Sequence, residues 1–138
     1  MLNRFAAFNA LYDEPYISLT TFRKNGDAVA TPVWFAQDME SGLLYIKTGG
    51  NSGKVKRIRH TPRVTLAPCT ARGTTTGDVT EGNAYIVTDT AEVFRARGAL
   101  HRKYGLQRQL LYFVFELVSL IRRNTRDKDA FLAIGPME

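Results

Sequence analysis

The sequence has few of the residues from which metal centres and side-chain nucleophiles are built. Its one cysteine, Cys69, excludes an internal disulfide and provides no framework for a metal ion. The two histidines, His60 and His101, lie far apart in the chain, and neither has a neighbour at a catalytic spacing. We therefore expect no metal site and no catalytic pair of side chains, and we interpret Cys69 as a small buried apolar residue.

Long apolar runs are also missing. The longest covers residues 110–121 and is interrupted by Glu116 and Ser119, whereas a membrane span needs about 20 apolar residues. Arg4 is not followed by an apolar segment long enough for a signal peptide. With 138 residues, of which 44% are hydrophobic and 23% charged, the composition predicts one soluble globular domain over residues 1–138, and we expect a cytoplasmic protein.

Acidic residues are absent from residue 41 to residue 77, although the chain contains 13 of them. The basic residues in this stretch are Lys47, Lys54, Lys56, Arg57, Arg59, Arg63 and Arg72. Since the net charge of the whole chain is +6, the remainder of the chain sums to −1. The positive excess is therefore local, and it predicts an anionic partner at a defined place. The alternative interpretation is an ordinary solvated basic surface.

A glycine-rich turn followed by a basic helix lies inside this stretch. The apolar run at residues 43–46 is typical of a buried strand and leads into the turn. Either Asn51 or Ser52 is suited to cap the helix that follows. Lys54 falls in the first helical turn, and Arg57, three residues later, shares its side of the helix. Because a helix start presents unpaired N–H groups and the positive end of the dipole, this pattern predicts a phosphate site.

Apolar patterning and turn signals predict six strands and four helices. Asn25-Gly26 is the strongest hairpin signal in the chain. Pro32 cannot donate a ladder hydrogen bond, so we expect it on an edge strand or at a bulge. The predicted strands are residues 16–22, 28–35, 43–47, 63–67, 81–88 and 130–134, and the predicted helices are residues 2–11, 52–60, 91–104 and 106–122. This order predicts a mainly β (α+β) domain, an antiparallel barrel with peripheral helices.

Four segments in this order make the chain resemble the flavin-binding split-barrel proteins of the pyridoxamine-phosphate-oxidase superfamily. They are ISLTTF at 17–22, ATPVWF at 30–35, the turn and helix at 45–58, and PRVTLAPC at 62–69. The chain is most similar to the deazaflavin-dependent oxidoreductase branch. The resemblance covers nearly the whole chain, and it implies a six-stranded antiparallel split β-barrel. It also implies a homodimer that holds FMN or a deazaflavin (coenzyme F-420) at its interface.

The resemblance also assigns roles to individual positions. Lys54 matches the phosphate-binding lysine of the family, and Thr48 and Ser52 match positions that meet the phosphate end. Gly53 stands where the oxidase itself has an arginine before the lysine, which argues against pyridoxamine phosphate as the substrate. The cofactor-binding residues that we expect, with Pro32 to Trp34 along the flavin ring, are Pro32, Val33, Trp34, Lys47, Thr48, Ser52, Gly53, Lys54 and Arg57.

Two functions remain open from the sequence, and a third is disfavoured. The first is an oxidoreductase that binds FMN or a deazaflavin and transfers a hydride to a small organic acceptor. The second is a non-catalytic flavin or haem binding or storage protein of the same fold. Nucleic-acid binding is disfavoured, because the aromatic residues are not interleaved with the basic ones as stacking platforms would be. The loop at residues 72–78 either closes over the ligand or is an ordinary surface loop.

Overall fold

The computed structural model describes residues 5–104 and 129–137 of the chain. Within these ranges, seven strands form one antiparallel sheet in the order β2-β1-β5-β6-β7-β4-β3, curled into a half-barrel. In chain order the elements are α1 (Ala6–Asn9), β1 (Ile17–Phe22), β2 (Ala28–Val33), β3 (Ala36–Gln37), β4 (Leu44–Gly49), α2 (Gly53–His60), β5 (Arg63–Pro68), β6 (Thr80–Ile86), α3 (Thr90–Lys103) and β7 (Asp129–Pro136).

The predicted antiparallel split barrel is confirmed, but the described residues form seven strands where six were expected. The difference arises at residues 28–35, which we predicted as one strand. In the structure β2 ends at Val33, two residues before the predicted end, and the two-residue β3 follows just beyond the predicted range, at the opposite end of the sheet. Between them, the Phe35 N–H donates to the Tyr104 hydroxyl at 2.8 Å rather than to a neighbouring strand. The Tyr104 side chain, at the end of α3, therefore supplies the hydrogen-bond acceptor that a neighbouring strand would otherwise provide at this break.

Two helix predictions differ from the structure in extent or coverage. The first helix, expected over residues 2–11, is α1 and ends at Asn9. Beyond it the backbone tightens, because the Leu11 N–H bonds the Phe8 carbonyl three residues back. The helix predicted over residues 106–122 lies outside the described residues. None of the helices in the described ranges is long and apolar enough to span a bilayer.

The curled sheet buries a different apolar cluster on each face. Successive residues of a strand point to opposite faces, so Leu44 and Ile46 of β4 enter the inner cluster together with Val55 and Ile58 of α2. Tyr45, between them, joins an outer cluster under α3. The helix α2 therefore fills the inside of the half-barrel, and α3 covers part of the outside.

The start of α3 is tied to the sheet through one carboxylate. Asp89 caps the helix by accepting a hydrogen bond from the Glu92 N–H at 3.2 Å. The Glu92 carboxylate accepts hydrogen bonds from Tyr45 at 2.8 Å and from Tyr85 at 2.5 Å. Burial and the bond to Glu92 raise the pKa of Tyr45 to about 12. Through these two hydrogen bonds, Glu92 ties α3 to Tyr45 of β4 and Tyr85 of β6.

Tyr104, at the end of α3, satisfies the backbone where β2 leaves the sheet. Its hydroxyl accepts from the Phe35 N–H at 2.8 Å and lies 3.0 Å from the Phe35 carbonyl oxygen. Tyr104→Phe should lower the free energy of unfolding by about 1–3 kcal/mol, because a buried N–H then loses its acceptor. Urea unfolding measures the change.

The matched control for this substitution is Tyr12→Phe, since the Tyr12 side chain is 43% exposed. It should change stability by no more than about 0.5 kcal/mol. Equal losses for the two variants would show that the Tyr104 hydroxyl does not support the backbone.

Candidate cofactor-binding site

The helix start predicted from the sequence forms where β4 ends. α2 begins at Gly53, and Ser52 is its N-cap: the Ser52 hydroxyl oxygen accepts a hydrogen bond from the Val55 N–H at 3.3 Å. The Thr48 hydroxyl donates to the same oxygen at 3.2 Å, which ties the end of β4 to the cap. The first turn of α2 contains no acidic residue, so its positive dipole end is not neutralised from within the helix.

Lys54 and Arg57 stand together at this helix start and repel each other. Burial lowers the pKa of Lys54, and the neighbouring Arg57 lowers it further. The pKa of Arg57 is also lowered, by burial and then by the charge of Arg23. Within residues 5–104 and 129–137, no carboxylate lies at ion-pair distance from either cation. A bound anion would relieve this repulsion, which is what a phosphate site requires.

Arg57 is held in place by a strand from an earlier part of the chain. Its Nε donates to the Thr21 hydroxyl at 2.5 Å, and Thr21 is fully buried in β1. Its guanidinium lies against Gly53, because a Cβ at that glycine would come within 2.6 Å of Arg57 Nη1. The guanidinium is therefore fixed beside the start of α2.

Lys47 lies away from this pair of cations. It pairs with Asp129 of β7, with 3.2 Å between Nζ and Oδ2. Alternation along β4 places Lys47 and Thr48 on opposite faces of the sheet. The structure therefore brings Thr48, Ser52, Gly53, Lys54 and Arg57 together but leaves Lys47 on the outer face beside a carboxylate.

The strand expected along the cofactor ring is at the edge of the sheet. Pro32 of β2 is exposed and pairs with Ser18 of β1, so the edge position predicted for this proline is confirmed. Val33 packs against the inner cluster. Trp34 lies beyond the strand and stacks on Tyr104, with 5.1 Å between ring centroids. The Trp34 ring therefore already packs against another side chain of the protein.

The expected phosphate end and the strand expected along the ring both lie at the β1–β2 edge, but on different faces of the sheet. Thr21, which holds Arg57, pairs with Val29, whereas Pro32 pairs three residues back along β1, a separation of about 10 Å. Thr21 shares the inner face with Leu19, a member of the inner cluster, and Pro32 faces outward. A ligand that uses both would have to pass the free edge of β2.

Thr31 is a candidate contact that the sequence did not single out. It lies between these two parts of the expected site and, by alternation, on the inner face of β2. Its hydroxyl oxygen is buried and has no hydrogen-bond partner among the described residues. Buried polar groups are normally paired, so an orphaned hydroxyl here fits a polar group of a ligand lying along β2.

The loop at residues 72–78 borders the same strand edge. The Thr76 N–H donates to the Pro68 carbonyl at 2.8 Å, and the Thr70 N–H donates to the Thr74 carbonyl at 2.9 Å. A Cβ built at Gly73 would lie 3.6 Å from Pro32 Cδ, so the loop backbone passes close to the proline that we expected along the ring. Cys69, at the base of the loop, is buried as predicted.

The family profile described as pyridoxamine 5'-phosphate oxidase matches residues 5–120. The chain belongs to the pyridoxamine 5'-phosphate oxidase family. No match was found among curated proteins.

Solved structures with the same fold are divergent in sequence. The conserved hypothetical protein Rv2991 from Mycobacterium tuberculosis is 18% identical, with a TM-score of 0.67 over 100% of this chain and 82% of that one. A candidate pyridoxamine 5'-phosphate oxidase from Listeria innocua is 16% identical (TM-score 0.58; 98% and 94% covered). HutZ, a haem storage protein from Vibrio cholerae, is 10% identical (TM-score 0.63; 99% and 92% covered). At these identities the likeness establishes the split-barrel fold of the family.

Sequence reasoning missed three residues around this candidate site. They are Thr21, which anchors Arg57, Thr31 with its orphaned hydroxyl, and Asp129, which pairs with Lys47. A polar residue at an inward position of an apolar strand is a weak sequence signal for the two threonines. No local signal connects Asp129 to Lys47, because strand pairing alone makes them neighbours.

The repulsion between Lys54 and Arg57 leads to a prediction about the stability of the ligand-free protein. Lys54→Met should raise the free energy of unfolding, because it removes a desolvated charge that faces Arg57. Lys56→Met, an exposed position of the same helix, should change stability by no more than about 0.5 kcal/mol. Urea unfolding in low-phosphate buffer measures both. A loss of stability in Lys54→Met larger than that in Lys56→Met would contradict the electrostatic account.

Proposed function

We propose that this chain binds a phosphorylated flavin, either FMN or a deazaflavin, with its phosphate at the start of α2. The observation that carries the proposal is the pair of mutually repelling cations, Lys54 and Arg57, beside a helix start without an acid. Among the described residues, no carboxylate lies at ion-pair distance from either cation, so none of these residues takes the place of an anionic ligand. Members of the pyridoxamine 5'-phosphate oxidase family commonly bind a flavin, which supports the same ligand class.

The reaction that fits this ligand is hydride transfer to a small organic acceptor. A bound flavin or deazaflavin supplies the redox chemistry. The protein's own residues would position the cofactor: Lys54, Arg57 and the Ser52 cap at the phosphate end, and the edge of β2 with Thr31 and Pro32 along the remainder. The packed Trp34–Tyr104 pair would keep the end of β2 rigid.

Lys54→Ala should weaken cofactor binding by about 1–3 kcal/mol, roughly a 5- to 150-fold rise in Kd, because a charge-assisted hydrogen bond is lost. Fluorescence titration with FMN and with the deazaflavin cofactor measures the change. Lys56→Ala, exposed on the same helix, is the matched control and should bind like the wild type. Absence of saturable binding of both cofactors to the wild type would refute the proposal.

Turnover separates the oxidoreductase from a storage protein. Reduced cofactor is mixed with the protein and a panel of quinones, enones and tetrapyrroles, and oxidation is followed against a protein-free control. Acceleration that Lys54→Ala diminishes supports catalysis. Cofactor binding without acceleration favours the non-catalytic alternative.

The likeness in fold to a haem storage protein makes haem the second candidate ligand. Haem titration of the same variants is the test. Saturable haem binding together with no flavin binding would favour haem storage.

We further propose a homodimer that pairs through the outer face of β1, β2 and β5. The centre of this face carries small residues that are exposed or half-exposed, among them Thr20, Ala28, Ala30, Pro32 and Thr65. Phe22 and Arg63, which stack on each other with 4.3 Å between the guanidinium carbon and the ring centroid, lie at its margin. The outer face around β4 is covered instead by α3. A second copy that covers the outer face of β1, β2 and β5 would place its own atoms beside Pro32.

Native mass spectrometry should therefore detect a dimer, and Ala30→Glu should shift it to monomer by placing like charges across the interface. Ala91→Glu is the matched control, because Ala91 is exposed in the first turn of α3, where an acidic residue is favourable. A monomeric wild type at micromolar concentration, with and without cofactor, would refute the dimer.

A further inference from the structure

Gly53 and Arg57 occupy one another's space at the start of α2. Residues four apart lie on the same side of a helix, and helical side chains lean toward the N-terminus. The Arg57 guanidinium accordingly reaches back over Gly53. A Cβ built at Gly53 would lie 2.6 Å from Nη1, closer than real contacts allow, and 3.3 Å from Cζ, which is a tight contact. Any side chain at position 53 would therefore displace the guanidinium from this place.

The other end of the guanidinium is fixed by Thr21. The Arg57 Nε donates to the buried Thr21 hydroxyl at 2.5 Å, while Nη1 and Nη2 donate no hydrogen bond within the part of the chain that the structure describes. Both terminal nitrogens are thus presented as a pair beside the helix start. Such a pair suits two oxygens of one phosphate.

We propose that Gly53 is a positioning residue that lets Arg57 serve as the second phosphate-binding group beside Lys54. Gly53 supplies the space, Thr21 supplies the anchor, and Arg57 supplies a two-donor contact from one turn further along α2. The inference rests on the proposed function and deepens it, because it assigns the preference for a phosphorylated ligand to a residue without a side chain. The proposal also requires that the preference for a phosphorylated ligand depend on the position of the Arg57 guanidinium and not only on its positive charge.

The test compares ligands that differ by the phosphate group. Dissociation constants are measured for FMN and riboflavin, and for the deazaflavin cofactor and its phosphate-free chromophore. The ratio within each pair is the phosphate preference. Gly53→Ala should lower this preference roughly tenfold while leaving the affinity for riboflavin unchanged, since the charge remains but its position is lost. Thr21→Val, which removes the anchor, should lower the preference in the same direction.

The chain provides a closely matched control in α3. Gly98 and Arg102 have the same four-residue spacing, and a Cβ at Gly98 would lie 3.2 Å from Arg102 Nη1. Gly98→Ala should therefore leave the phosphate preference unchanged. Arg57→Ala should lower the preference as Gly53→Ala does, and the Gly53→Ala/Arg57→Ala double variant should lose no more than Arg57→Ala alone, because both act through one group.

The outcomes separate this inference from the function on which it rests. If the wild type binds none of the four ligands, the proposed function fails and this inference fails with it. If the wild type prefers the phosphorylated ligand and Gly53→Ala keeps that preference, the inference alone is overturned. A further tenfold loss on adding Gly53→Ala to Arg57→Ala would also overturn it, because the glycine would then act independently of the arginine.

Discussion

Electrostatic repulsion between two half-buried cations is the constraint on which the rest of this site depends. Lys54 and Arg57 are kept close by a helix that fills the inside of the half-barrel, and burial reduces the solvation that would otherwise ease their mutual repulsion. Such an arrangement costs stability in the empty protein, and proteins retain arrangements of this kind where they serve binding. The apolar residues Val55 and Ile58 on the buried side of α2 hold the helix against that cost.

The sheet contributes to the site mainly by separating charges. Because side chains alternate along β4, Thr48 supports the Ser52 cap on one face, while Lys47 pairs with Asp129 on the other. The carboxylate of Asp129 therefore neutralises a lysine outside the half-barrel, not the cations within it. The same alternation along β2 separates Thr31 from Pro32. The geometry of the strands thus decides which polar residues can share a ligand.

Local chemistry in the sequence predicted the parts of this structure that depend on neighbouring residues. The Ser52 cap, the basic first turn of α2, the edge position of Pro32 and the antiparallel strands are set by residues within a few positions of one another. The resemblance added the order of the segments and the position of Lys54. The local sequence pattern and the resemblance both predicted the charged helix start at the position where the structure has it.

What escaped prediction depends on contacts between distant parts of the chain. The break between β2 and β3 is supported by Tyr104, 69 residues beyond Phe35. The anchoring of Arg57 by Thr21 spans 36 residues. Neither pairing can be predicted from the sequence, because an inward threonine in a strand is only a weak signal and nothing in the sequence connects it to Arg57, and a tyrosine at a helix end is ordinary in isolation. Only the folded arrangement makes them specific.

The position of β7 has a consequence for how this protein reaches its native state. β7 comes last among the described elements, yet it pairs with both β6 and β4 near the middle of the sheet. Until it is inserted, β4 and β6 each present an unpaired backbone edge, and the inner cluster lacks Leu132 and Ile134. Such sequence-distant pairing slows folding, and exposed edges favour association with other chains in the meantime. The apolar cluster against which α2 packs is therefore complete only when β7 is in place, although β7 contributes none of the residues gathered at the start of α2.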